Sequence, residues 1–327
     1  MKSVHFQKIT RVAACMAASL LLPLSVMAQT WPARPISLVS PYPPGGTNDV
    51  VGRLIAEKVA ADLGATIVVQ NKPGAAGIVG SRTVAAAAPD GYTLLTANNG
   101  SHVVQPVIAK TPPYDALKDF TPIASVVAAY VVIGIPANLP PRTLREFVDY
   151  AKSQPGKLSY GSAGNGSSGN FSGEFFKMVT GVDIVHVPGR GSGQALTDMI
   201  GGSTHLMLDP VVLQQVGSGR VRALAVSSPR RLPNQPDIPT VAEAGFPELE
   251  LAGWFGWFGP AGLPRDITDR LAASMQKALN DPAVVQRLLA AGVVPNFKGP
   301  AAFEKQIRED TALYADVRKR ANIAQVE

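Results

Sequence analysis

An α/β fold with parallel sheets is what this sequence predicts, and three observations carry the prediction. Short apolar runs alternate with amphipathic helical stretches along most of the chain. Most of these runs end in a loop rich in glycine, serine or asparagine that leads straight into a helix. The strand–loop–helix units come in two sets, separated by apolar stretches that read as crossings between two lobes. In parallel sheets the ligand sits at the C-terminal ends of the strands, and the glycine-rich loops occupy that edge.

The first segment is a label rather than structure. Lys2, Lys8 and Arg11 precede an apolar run from Val12 to Met27, and Val26-Met27-Ala28 is a small-residue cleavage site. Residues 1–28 are therefore expected to be a cleaved export signal, with Gln29 as the mature start and the periplasm as destination. A membrane anchor needs about 20 apolar residues, and Ser19, Pro23 and Ser25 interrupt this run. A lipoprotein would carry its cysteine at the end of the run, whereas Cys15 lies near the beginning. Losing the signal takes three positive charges off the formal +6, leaving +3 without a Lys/Arg block, so nucleic acid is not an expected partner. The single cysteine leaves with the signal. An exported chain without disulfides needs a core large enough to stand alone, and a chain of this length suggests two domains.

Ile36–Val39 is the first strand and Val50–Leu63 its crossover helix. Between them Pro41-Tyr42-Pro43-Pro44-Gly45-Gly46-Thr47-Asn48-Asp49 forms a tight turn, with Thr47 as expected N-cap and Asp49 in the first helical turn. The free N–H groups and positive dipole end of such a helix start make an anion site, although an ordinary capped turn would look the same. Thr66–Gln70 is strand two. Asn71–Gly77 leads into a helix through Ala88, and Tyr92–Ala97 is strand three, followed by the polar loop Asn98–His102. Phe120–Ala128 and Tyr130–Ile135 are apolar and cross between lobes. Thr143–Ser153 reads as a helix with Thr143 as N-cap and Glu146 at the capping-box position.

The second set of units begins at Leu158–Gly161, whose loop Ser162–Asn170 enters the helix Phe171–Thr180. Strand Val182–Val187, loop Pro188–Gly193 and helix Gln194–Ile200 follow. Strand His205–Leu208 ends in Asp209, which is either a ligand contact or a cap for the next helix, and Val221–Val226 is the last strand of the set. Leu251–Phe258 crosses back, and the tail, Asp266–Leu279, Pro282–Ala291 and Pro300–Ala321, is helical. Trp254, Phe255 and Trp257 on the returning strand are core residues, one of which can face the cleft. The expected division is residues 29–128 for the first part of lobe one, 129–251 for lobe two, and 252–327 for the return to lobe one and the C-terminal helices.

Catalytic constellations are thin. Gly164-x-Gly166-x-x-Gly169 matches the dinucleotide fingerprint, but Asp183 falls at the start of the next strand, where the fingerprint wants an acid at its end. No nucleophile elbow occurs. His102, His186 and His205 are scattered without metal-ligand spacing, and His186 reads as a packed, hydrogen-bonded residue. Neither a cofactor nor a metal is expected. Arg190 follows a strand on the ligand edge, beside Gly189, Gly191 and Gly193, which leave it space to reach into a cleft.

Taken together, Pro43–Asp49, Asn71–Gly77, Pro89–Leu95, Tyr114-Asp115 with Lys118-Asp119-Phe120, Pro155–Leu158, Ser162–Ser167, Val185–Pro188, Ala223–Val226, Pro239–Gly245 and Trp254–Gly256 resemble the extracytoplasmic receptors of the tripartite tricarboxylate transporter family, the Bug-type solute-binding proteins. The resemblance covers nearly the whole mature chain in order. It implies a two-lobed periplasmic-binding-protein fold, type II-like, with the ligand cleft between lobes joined by crossing strands. It also implies a receptor, not an enzyme, that binds a small organic carboxylate and serves a membrane transporter, as a monomer. The candidate ligand contacts are Tyr42, Pro44, Gly45, Gly46, Thr47, Asp49, Ala76, Asn98 and Ser101 on one lobe. On the other they are Ser162, Gly164, Asn165, Gly166, Ser167, Ser168, Asn170, Arg190 and Asp209. Family members usually carry Tyr and Lys where this chain has Gly189 and Arg190, and commonly His where it has Asn170. The first change makes room, and a guanidinium grips a carboxylate with two bonds where an ammonium acts as a point charge. The alternatives are a secreted α/β hydrolase, which needs a placed nucleophile–base pair, and a ligand sensor for a membrane signalling kinase.

Overall fold

Parallel pairing sets the first sheet. Strand β1 (Ile36–Ser40) lies between β2 (Ile67–Asn71) and β3 (Thr93–Asn98), parallel to both. The computed structural model describes residues 31–320, 323 and 325, so the expected export signal lies outside the described residues. Helix α1 (Thr47–Leu63) makes the first crossover by burying Val51, Leu54, Ile55 and Val59, which share one face at helical spacing. Gly64 ends it in the left-handed region at φ 61°. Helix α2 (Ile78–Ala85) makes the second crossover and stops short of the expected Ala88. After β3 a π-helical turn, Gly100–Val104, runs into the one-turn helix α3 (Gln105–Ile108).

The chain then changes sheets. Strand β4 (Phe120–Tyr130) is almost wholly buried, as its unbroken apolar character requires, and after Val131 it continues directly as β5 (Val132–Pro136) in a second sheet. Helix α4 (Leu144–Lys152) starts where expected: the Thr143 hydroxyl accepts the Glu146 N–H at 3.2 Å. The Glu146 carboxylate reaches the N–H of Arg142 rather than that of Thr143. Next come β6 (Leu158–Ser162), α5 (Ser168–Thr180), β7 (Ile184–Pro188), α6 (Ser192–Ile200), β8 (Leu206–Leu208), α7 (Leu213–Val216) and β9 (Val221–Val226). Strand β10 (Ala252–Pro260) carries the chain back, antiparallel to β3 and β4. Helices α8 (Arg265–Ala278) and α9 (Pro282–Ala290), strand β11 (Val294–Lys298) and helix α10 (Pro300–Arg320) complete it.

The sheets run β11-β4-β10-β3-β1-β2 and β7-β6-β8-β5-β9. This is the two-lobed α/β architecture expected from the alternation, with two strand crossings where the apolar runs lie. From Arg34 onward the chain is one compact unit. Its core is continuous across the crossings, joining Phe120, Phe258 and Phe303 to Ile133, Phe147 and Phe176. Strand β11 corrects the expectation of an all-helical tail. It is short, half-buried and pairs only on the edge of β4, where a proline such as Pro295 is tolerated.

Candidate functional site

The loop between β1 and α1 is built around Asp49. Its carboxylate accepts the Gly45 N–H at 3.1 Å, Arg53 Nε at 3.0 Å and Asn71 Nδ2 at 2.7 Å, while Asn71 Nδ2 also donates to the Tyr42 carbonyl. Burial pushes this carboxyl upward, but these donors outweigh it and hold the group below the usual carboxylate range. Gly45 takes the left-handed φ of 84° that the turn requires. Gly46, extended at φ −74° and ψ 161°, is the N-cap. Thr47, expected in that role, is the first helical residue, and its buried hydroxyl has no partner among the described residues. The first intrahelical bond runs from Val50 N–H to Gly46 O, which leaves the N–H groups of Thr47 and Asn48 free of helical acceptors.

Asp49 therefore positions the loop instead of lining the cavity. Asp49→Ala is expected to cost about 1–2 kcal/mol of stability, because the Gly45 N–H, Arg53 and Asn71, exposed or half-buried, lose a charged acceptor. Urea unfolding checks this, and a loss under about 0.5 kcal/mol, the range of ordinary surface changes, would contradict it.

The loop after β6 is braced from behind. Ser167 caps α5 by accepting the Asn170 N–H at 3.2 Å, and the first intrahelical bond, Phe171 N–H to Ser167 O, leaves the N–H groups of Ser168 and Gly169 free. Asn170 Oδ1 accepts the Gly166 N–H at 2.9 Å, which fixes the amide orientation and turns Nδ2 toward Tyr160 Oη and His186 Nδ1. Nδ1 must then accept, so His186 carries its proton on Nε2 and donates to Ser162 Oγ at 2.7 Å. Burial pushes His186 down and keeps it neutral. This serine–histidine pair is no nucleophile and base: the histidine donates to the serine, the buried Ser162 hydroxyl donates to the Gly164 carbonyl, and His186 Nδ1 faces the Asn170 amide instead of an acid.

A third helix start follows β7. Gly191 caps α6, and the bond from Ala195 N–H to Gly191 O leaves the N–H groups of Ser192, Gly193 and Gln194 free. The sequence places the loop Pro188–Gly193 and a helix from Gln194 here, with Arg190 as the candidate contact; the helix in fact begins two residues earlier, at Ser192.

All three starts open onto one cavity of about 460 Å³. Lobe one supplies Tyr42–Asn48, Asn98 and Asn99; lobe two supplies Ala163, Ser167–Gly169, Ser172, Arg190–Gln194, Thr197 and Leu208–Pro210. The crossing strands add Ala129, Val131, Gly253 and Phe255, and α10 adds Tyr314. The lobes meet around it: Gln105 Nε2 donates to the Gly166 carbonyl at 2.8 Å, and Ser168 Oγ to Asn99 Oδ1 at 3.4 Å. Arg190 is exposed at the rim, without a hydrogen bond or ion pair to other described residues. Asp209 caps the turn Pro210–Val212 through Val211 N–H at 2.9 Å, as one of its two expected roles has it, and it also lines the cavity.

Ten expected residues thus meet at the cavity: Tyr42, Pro44, Gly45, Gly46, Thr47, Asn98, Ser167, Ser168, Arg190 and Asp209. Asp49, Ala76, Ser101, Ser162, Gly164, Asn165, Gly166 and Asn170 are not in its wall. Several of these hold wall residues in place: the Ala76 carbonyl and Asn98 Oδ1 accept the Tyr42 hydroxyl, and Ser101 N–H donates to Asn98 Oδ1. Among the three aromatics of β10, Phe255 faces the cavity, while Trp254 Nε1 turns away to Asp310 Oδ2 at 2.9 Å and Trp257 is buried. Asn99 and Tyr314 were not expected. Asn99 Nδ2 donates to Tyr314 Oη at 2.9 Å, and the Tyr314 ring packs on Phe171 at 4.6 Å. No local pattern marks a C-terminal helix residue as a cavity wall.

Among the described residues no group of His, Cys, Asp and Glu could hold a metal ion, and no helix is long and apolar enough to cross a membrane. Asp183 lies just ahead of β7, away from the strand end where a ribose-binding acid would stand.

Comparison with known proteins agrees with this geometry. The chain is 34% identical to protein BugT of Bordetella pertussis over 295 residues, 89% of this chain and 90% of that protein. It superposes on Rhodopseudomonas palustris Rpa4515 with adipate at a TM-score of 0.87 and 33% identity, covering 90% of this chain and 100% of that one. The malate-bound MatC of the same organism gives 0.83 and 32%, covering 88% and 99%. Residues 51–322 match the profile described as "Tripartite tricarboxylate transporter family receptor", and the chain belongs to that receptor family.

Proposed function

We propose that this chain captures a small organic di- or tricarboxylate, aromatic ones included, between its lobes in the periplasm and hands it to a membrane transporter of the tripartite tricarboxylate type. The observation that carries the reading is the convergence of three helix N-termini, from both lobes, on one cavity. Each presents unpaired N–H groups and about half a positive charge to an anion. Val131, Leu208 and Phe255 give the ligand's carbon skeleton an apolar wall between them. The adipate and malate held by two relatives are dicarboxylates, in keeping with this chemistry. Because the wall draws on both lobes, binding favours lobe closure, the form in which a transporter would recognise a loaded receptor.

A thermal-shift screen of mono-, di- and tricarboxylates tests the reading. A true ligand at a hundred times its Kd stabilises the protein by about 2.7 kcal/mol and is recovered chemically unchanged. A screen without any stabilising carboxylate overturns the proposal. Of the glycines expected to leave room beside Arg190 only Gly193 faces open space, since a side chain at Gly189 would meet the Ser162 carbonyl and one at Gly191 would meet Pro43. Arg190 itself is exposed and lines the cavity, and it is expected to take a second carboxylate through its planar fork. Arg190→Ala should weaken the best ligand about tenfold in titration calorimetry, with Arg190→Lys recovering part of the loss. An alanine variant within about threefold of wild type would remove Arg190 from the site.

A further inference from the structure

Among the described residues Asp209 is the one acid in the wall of a cavity otherwise equipped for anions. Its Oδ1 takes the Val211 N–H at 2.9 Å and its Oδ2 the Ser192 hydroxyl at 2.7 Å. A carboxylate has about four acceptor positions, so two remain, and no ion pair to another described residue neutralises the group. The residue is half-buried and lines the cavity. Ser192 matters because it is also the first residue of α6, so the acid stands one side chain away from free N–H groups that attract a ligand carboxylate. A bare carboxylate seated there meets a second carboxylate. A ligand with a donor on the adjacent carbon places a hydrogen bond where the repulsion would be.

We infer that Asp209 is a specificity-determining residue that selects carboxylates bearing a hydroxyl or ammonium group on the carbon next to the carboxylate bound at α6. The inference rests on the carboxylate-receptor reading above and adds a chemical filter to it. Burial raises the Asp209 carboxyl above its ordinary range and outweighs the two donors it has in Ser192 and Val211. Negative selection of this kind works by what it repels as much as by what it holds.

The test is titration calorimetry of the mature chain and Asp209→Asn with malate, aspartate and succinate, which share a four-carbon skeleton and differ in a hydroxyl, an ammonium or neither. Asparagine is a good cap, and its amide oxygen can keep the Val211 contact, so the fold is retained; circular dichroism confirms it. Wild type should prefer malate or aspartate over succinate by at least about tenfold, and the variant should narrow that ratio to within about threefold, chiefly by binding succinate better. Preference for malate identifies the hydroxyl as the selected donor, and preference for aspartate the ammonium. A wild type that does not discriminate, or a variant that keeps the full ratio, overturns the inference while leaving the receptor reading intact. Wild type that binds none of the three, nor any carboxylate in the wider screen, overturns both.

Discussion

Replacing Gly46 by valine is expected to weaken carboxylate binding at least a hundredfold and leave the fold in place. The backbone permits the change: φ −74° and ψ 161° suit any L-residue, and a Cβ built there meets only the Pro43 carbonyl oxygen, at 3.8 Å. The proposed function does not permit it. Gly46 is in the cavity wall immediately before the free N–H groups of Thr47 and Asn48, and a branched side chain there stands over the donors an anion must approach. Calorimetry should show the loss, while the melting temperature moves by only about 2 °C, as for ordinary surface changes in a chain this size. Gly45→Val is the control for strain. Its φ of 84° excludes valine, so that variant should lose stability as well as binding. A folded Gly46→Val protein with unchanged affinity would place the ligand elsewhere.

The second large effect is acid sensitivity, and it centres on His102. This side chain lies in the π-helical turn after β3, fully buried between the rings of Phe258, Phe120 and Tyr114 at 4.4, 4.7 and 5.5 Å. Nδ1 meets Ser101 Oγ at 3.0 Å, and Nε2 has no partner among the described residues. Burial pushes its pKa down to about 3. Between that value and the ordinary 6.5 the unfolded chain binds the proton and the folded chain does not. Stability from this group is therefore complete above pH 6.5 and falls as the pH drops, by about 3 kcal/mol at pH 4 and about 5 kcal/mol in full. Asp310 works in the opposite sense. Burial raises it to about 6, so it takes up a proton in the folded state first and adds stability as the pH falls from 6 toward 3.8. The readout is thus the difference between wild type and His102→Phe, which keeps the ring and removes the titration. In denaturant unfolding at pH 7 and pH 4, the variant should lose about 3 kcal/mol less than wild type. Equal losses in both proteins would show that His102 does not control the acid limb.

The strand–loop–helix units at Gly46 and Ser167 were legible because their signal is local, although the cap is Gly46 where Thr47 was expected and α5 begins at Ser168 where Phe171 was expected. Two glycines or a serine cap between an apolar strand and a helical pattern can only make a strand–turn–helix unit, and its free N–H groups follow from helix geometry. The crossings were legible for a similar reason: β4 and β10 are buried on both faces, so they read as unbroken apolar runs. Strand β11 escaped because an edge strand with Val294-Pro295-Asn296 shows little apolar alternation. Asp49, Asn170 and Ser162 were read as contacts because they sit in the right loops, yet whether a polar side chain turns into a cavity or back into its own loop depends on partners elsewhere in the chain. Asn71 decides it for Asp49, and His186 for Ser162 and Asn170.

The sequence by itself determined the alternation of elements, the two lobes, the edge on which the loops gather and the free N–H groups of their helix starts. Each of these follows from backbone propensity and periodicity over neighbouring residues. Tertiary structure alone decided that three helix starts share one cavity, that Phe255 rather than Trp254 faces it, and that Asn99 meets Tyr314 across 215 residues of chain. The physical reason is that a cavity is the space left between surfaces packed from distant segments, and local chain chemistry carries no record of which distant side chain will complete the wall.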